Sequence, residues 1–71
     1  MNKQTDSVYK KGEEAWLSVE GREGSFPVSI DSEGRWDYAE HQWKYQVKQT
    51  DGRLYGNGKW VGEIDLNRTP K

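Results

Sequence analysis

The stretch Trp43-Lys44-Tyr45-Gln46-Val47-Lys48-Gln49, followed by Thr50-Asp51-Gly52, decides how this chain of 71 residues folds. Trp43, Tyr45 and Val47 fall on one side and Lys44, Gln46 and Lys48 on the other, the period of two expected of a strand with one face on a core. Asp51-Gly52 supplies the dipeptide favoured in tight hairpin turns, because glycine takes positive φ without a Cβ clash. The chain is therefore expected to return through Arg53-Leu54-Tyr55. Gly56-Asn57-Gly58-Lys59 then turns it again into Trp60-Val61.

The same alternation recurs upstream. Ala15, Leu17 and Val19 oppose Glu14, Trp16 and Ser18. After the glycine-containing loop Glu20-Gly21-Arg22-Glu23-Gly24, Phe26, Val28 and Ile30 again share a face. Pro27 has no N–H to give a ladder and places this stretch at an edge or at a bulge near its start. Asp31-Ser32-Glu33-Gly34 reads as a turn and Arg35-Trp36-Asp37-Tyr38 as a short strand, interrupted by Ala39-Glu40-His41-Gln42. Near the C-terminus Glu63-Ile64-Asp65-Leu66 is short enough for one 3-10 turn. No stretch carries a sustained 3.6-residue apolar stripe, so no long helix is predicted. The reading is an all-β fold: a small five-stranded SH3-like barrel over residues 10–67, with a disordered lead-in over 1–9 and a disordered tail over 68–71. Closing the sheet removes edges that would otherwise invite aggregation.

Composition bounds the answer further. A chain this short buries only about 60% of the surface it exposes when unfolded. Just 31% of its residues are hydrophobic, and four of these are Trp and four Tyr, so aromatic rings must supply much of the core. Each buried Trp removes roughly 150–250 Å² from water. The absence of Cys excludes disulfides and thiolate chemistry and fits a reducing compartment, so a nuclear or cytoplasmic, intracellular location is expected. No window approaches the roughly 18 apolar residues of a membrane span, so no membrane partner is expected. The single His41 excludes a multi-histidine metal site, and no cofactor is expected. Residues 1–40 carry five basic and nine acidic side chains and residues 41–71 carry six and three, a bipolar arrangement under a net charge of −1.

Tyr45, Val47, Gly52, Trp60, Val61, Glu63 and Leu66 follow the spacing Y-x-V-x4-G-x7-W-V-x-E-x2-L. This resembles the end of chromo barrel and Tudor-knot domains, where a strand and tight turn lead into a Trp-Val-x-Glu-x-x-Leu segment that seals an SH3-like barrel. The segments Gly12–Ala15 and Phe26–Ile30 look like the opening strands of the same folds. The resemblance implies a binding module, and in that family an aromatic cage takes methyl-lysine through cation–π attraction. At the positions matching the cage aromatics this chain has Gln49 and Arg53, and Gly58-Lys59 stands where an acidic pair commonly precedes the closing Trp.

Residue by residue, Trp43 and Trp60 are expected to plug the barrel or cover its ends. Trp16 alternates with the apolar set of its strand and should face outward, and Trp36 and Tyr38 lie in a polar stretch. Two readings stand side by side: a ligand-binding aromatic patch of Trp16, Trp36 and Tyr38 joined by Tyr55, or a second small cluster packed outside the barrel. Glu20, Glu23, Asp31 and Glu33 lie within reach of such a patch, and Glu23 is grouped with it as a contact for a basic ligand. The carboxylates and serines lack the converging arrangement that acid–base or nucleophilic catalysis needs, so no enzyme is expected. The expected function is recognition of a peptide or protein partner by a monomer, with a basic or methylated chromatin tail among the candidates. Two alternatives remain: nucleic-acid binding through Lys44, Lys48, Arg53 and Lys59 on the central hairpin, and a small structural protein with no pocket.

Overall fold

A computed structural model describes residues 8–70 of the chain. Seven short strands appear in order: β1 (Glu14–Ser18), β2 (Ser25–Ile30), β3 (Arg35–Asp37), β4 (Gln42–Tyr45), β5 (Val47–Gln49), β6 (Val61–Gly62) and β7 (Leu66–Asn67), with 3-10 turns at Tyr55–Asn57 and Glu63–Asp65. Every pairing is antiparallel. One sheet runs β5-β2-β1-β7 and the other β3-β4-β6. The all-β class and the C-terminal 3-10 turn are as expected. The strands form two small sheets rather than one closed five-stranded sheet.

The alternation in the sequence produces the core directly. Ala15 and Leu17 from β1, Val28 and Ile30 from β2, Tyr45 and Val47 from β4 and β5, and Val61 and Leu66 near the C-terminus are all buried. Val19, Phe26, Trp43 and Tyr55 pack around them. Leu17 sits opposite Phe26 across β1 and β2, and Ile30 opposite Val47 across β2 and β5, so the inward rows are in register.

Four expectations change. The predicted strand over 43–49 divides at Gln46, whose residues on either side belong to different sheets. The main chain there is held from outside the ladder of either sheet: Gln46 N–H donates to the Ser32 hydroxyl at 2.9 Å, and its carbonyl accepts from Asp31 N–H at 2.8 Å. The expected strand over 53–55 shrinks to an isolated bridge between Lys48 and Leu54, because the chain enters a 3-10 turn at Tyr55. Leu66, expected to close the 3-10 turn, begins β7, which pairs with β1. Lastly, the ordered unit extends past both expected boundaries. Tyr9, placed in the lead-in, is a buried core residue, and Arg68, placed in the tail, donates to the Val8 carbonyl at 2.8 Å and pairs with Glu13 at 3.4 Å. Residues 1–7 of the expected lead-in and Lys71 of the tail lie outside the described residues. No helix among the described residues is long and apolar enough to cross a membrane.

Candidate ligand-binding cleft

β3 lies at the edge of its sheet and pairs only with β4, with Arg35 opposite Lys44, Trp36 opposite Trp43 and Asp37 opposite Gln42. This register puts two indoles side by side. Trp36 meets Trp43 edge-on at 5.4 Å between ring centroids and Tyr38 at 6.3 Å, both near the T-shaped geometry that aromatic quadrupoles favour. Because Trp43 packs against the core, the exposed Tyr38 ring is tied to the interior through Trp36.

On the other face, Arg35, Asp37 and Lys44 come together. Asp37 Oδ1 accepts the N–H groups of Ala39 at 2.8 Å and Glu40 at 3.0 Å, which fixes the turn after β3. Its Oδ2 pairs with Lys44 Nζ at 3.1 Å, and Glu40 reaches the same ammonium at 2.6 Å. The Glu40 N–H and the Lys44 ammonium hold the Asp37 carboxyl below its ordinary pKa, and Lys44 does the same for Glu40. In return the two carboxylates raise the pKa of Lys44, Glu40 first. These groups are charged at neutral pH and serve as mutual anchors. Gln42 extends the arrangement, donating to Glu40 and accepting from Ile64 N–H.

Trp60 completes a cleft of about 350 Å³ with Arg35, Trp36, Asp37, Tyr38 and Lys44. The Arg35 guanidinium carbon lies 5.5 Å from the Trp60 ring centroid, over its face. Trp60, expected to plug the barrel or cover its ends, is half-buried and lies outside the core cluster, lining this cleft instead of plugging the interior. The available signal was local: Val61 is a core residue, so its neighbour Trp60 must point the other way.

The structure brings together Trp36 and Tyr38 of the expected patch and separates the rest. Trp16 stands on the other sheet, opposite Pro27 and Asn67, where it lines a second shallow groove with Lys48 and Gln49. Tyr55 packs on Phe26 at 6.0 Å beside the core. Glu23 is exposed in the loop between β1 and β2, as is Glu20 at its start. Asp31 is paired with Lys48 at 3.4 Å, and Glu33 is exposed. The basic hairpin fares similarly: Lys44 and Lys48 are both matched by acids, and Arg53 and Lys59 are exposed. No group of three His, Cys, Asp or Glu among the described residues is placed to hold a metal ion. In comparison with known proteins, no family model matches this chain, and neither does any curated protein or solved structure.

Proposed function

We propose that this chain is a non-catalytic binding module that takes an extended peptide segment of a partner protein along β3. The observation that carries this reading is the cleft itself: three aromatic residues, Trp36, Tyr38 and Trp60, gather beside a strand whose outer edge pairs with no described residue. Arg35 through Tyr38 are four consecutive residues of or next to that strand, so the cleft follows the backbone rather than crossing one face. An extended segment laid there gains main-chain hydrogen bonds from the open edge and side-chain contacts from the rings. The reading also keeps the SH3-like, Tudor-related architecture: the chain passes from one small sheet to the other at Gln46, between β4 and β5, the kind of crossing a strongly bent barrel uses.

The cleft favours some partners over others. A methylated or unmodified lysine would have to displace Arg35 from Trp60 and enter beside two existing cations. That argues against a basic tail as the occupant. Nucleic-acid binding is weakened because Lys44 and Lys48 are already neutralised by carboxylates.

Amide-shift NMR titration with a panel of extended peptides and with a single-stranded oligonucleotide tests the proposal. The expected result is peptide-dependent shifts at Arg35, Trp36, Asp37, Tyr38 and the Trp60 indole. Shifts confined to Arg53 and Lys59 on adding oligonucleotide, with affinity falling steeply as salt rises, would instead establish the electrostatic alternative.

A further inference from the structure

Arg35 is the one basic side chain in the cleft without an anionic partner among the described residues. Its own surroundings contain a carboxylate that cannot serve it. Asp37 spends Oδ1 on two backbone N–H groups and Oδ2 on Lys44, and Glu40 is bound to Lys44 as well. The Trp60 face meanwhile supports the guanidinium on one side. A planar guanidinium held over a ring keeps its edge free, and that edge carries the N–H fork that fits a carboxylate through two parallel hydrogen bonds.

Resting on the peptide-binding reading above, we infer that the partner segment is acidic: an aspartate or glutamate of the bound peptide seats its carboxylate on Arg35, beside the Trp60 ring. The register of β3 narrows the pattern further. Arg35 and Asp37 share one face of the strand, and Trp36 lies on the other, where the Tyr38 ring from the following turn meets it. A peptide paired to this edge places alternate side chains on the same two faces. On the side that runs along β3, the acidic residue is therefore accompanied by apolar residues one and three positions away, which meet Trp36 and Tyr38. The next residue on the acidic face lies toward Asp37 and is not acidic, because like charges directly opposite each other repel.

The test uses four peptides identical except at one position, occupied by glutamate, glutamine, lysine or trimethyl-lysine, with apolar residues one and three positions away on one side. Each is titrated into the full chain while the Arg35 side-chain N–H and Trp60 indole signals are followed, with a single-stranded oligonucleotide as a fifth probe. The glutamate peptide is expected to bind roughly tenfold more tightly than the glutamine peptide, the size of one charge-assisted pair. The Arg35 N–H signals should shift on binding. Arg35→Gln should abolish the glutamate preference while leaving weak binding of both peptides. Arg22→Gln, which removes an arginine stacked on Phe26 at 4.8 Å, should leave the preference intact. Equal binding of glutamate and glutamine peptides would overturn the acidic specificity but keep the peptide-binding reading. Preference for lysine or trimethyl-lysine would overturn it in favour of a cationic ligand. Binding of the oligonucleotide alone would overturn both readings together.

Discussion

Tyr45 has no exposed surface, and its hydroxyl does work that a phenylalanine could not: it accepts the Tyr9 backbone N–H at 3.0 Å. The two rings meet at 5.6 Å and 87°, so ring packing and hydrogen bond hold the same contact. Burial also raises the pKa of the Tyr9 phenol, an effect partly offset by Arg68, whose guanidinium carbon sits 4.8 Å from the ring centroid. Tyr45→Phe keeps the ring and strands a buried donor. It is expected to lower unfolding free energy by about 1–3 kcal/mol, measurable as a shifted urea midpoint with an unchanged slope. An unchanged midpoint would mean the Tyr9 N–H finds water or another acceptor. Tyr45 was legible as a core residue because its strand alternates. Tyr9 was not, because a single apolar ring beside Lys10-Lys11 shows no period, and its acceptor lies 36 residues away.

The turn between β3 and β4 depends on ionised carboxylates, and its pH response has a definite sign. The pKa of Asp37 is lowered by the Glu40 N–H and by Lys44, that of Glu40 by Lys44, and that of Glu13 by the Lys10 N–H and then Arg68. A carboxyl whose pKa is lower in the folded state binds protons first when unfolded. Its contribution is present above the unfolded value and is lost as pH falls through the folded value. Thermal melts should therefore drop in midpoint as pH is lowered from about 5 to about 3, with the loss flattening below the shifted values. Asp37→Asn should lower the midpoint at neutral pH and make the acid loss shallower, with Glu40 and Glu13 supplying the remainder. An identical slope in wild type and variant would remove Asp37 from the account. These side chains all keep contact with solvent, so added salt should shrink the difference. The interruption after β3 is legible in the sequence, but the aspartate that fixes it, accepting the N–H groups two and three residues on, is not. Nor is the Gln46 corner. Period-two alternation continues unbroken from Trp43 to Val47, and the bend depends on the Ser32 hydroxyl and on the Gln46 amide, which donates to the Gly58 carbonyl at 2.8 Å.

The two sheets share one core, and its smallness makes the N-terminal contribution decisive. Inward rows of β1, β2, β4 and β5 were readable as strands, but the way those strands divide between sheets depends on contacts distant in sequence, which alternation does not encode. Tyr9 closes one side of that core, against Tyr45, and Arg68 reaches over its ring from the other end of the chain and pairs with Glu13. A domain of this length has a net stability of about 4–10 kcal/mol, scaled at roughly 0.05–0.15 kcal/mol per residue. Truncating a buried aromatic to alanine typically costs about 3–5 kcal/mol. Tyr9→Ala should consequently consume much of the available stability, and a chain beginning at Lys10 should lose cooperative thermal unfolding. A chain beginning at Val8 should retain it, because it keeps both the ring and the N–H that Tyr45 accepts. Tyr9→Phe separates the ring from its hydroxyl: a cooperative transition close to wild type would assign the closure to packing. The comparison is made by far-UV circular dichroism and tryptophan emission on the same samples. Coincident midpoints by both signals show that the sheets unfold as one unit. A cooperative, wild-type-like melt for the chain beginning at Lys10 would instead place Tyr9 outside the folding core and return the boundary to residue 10.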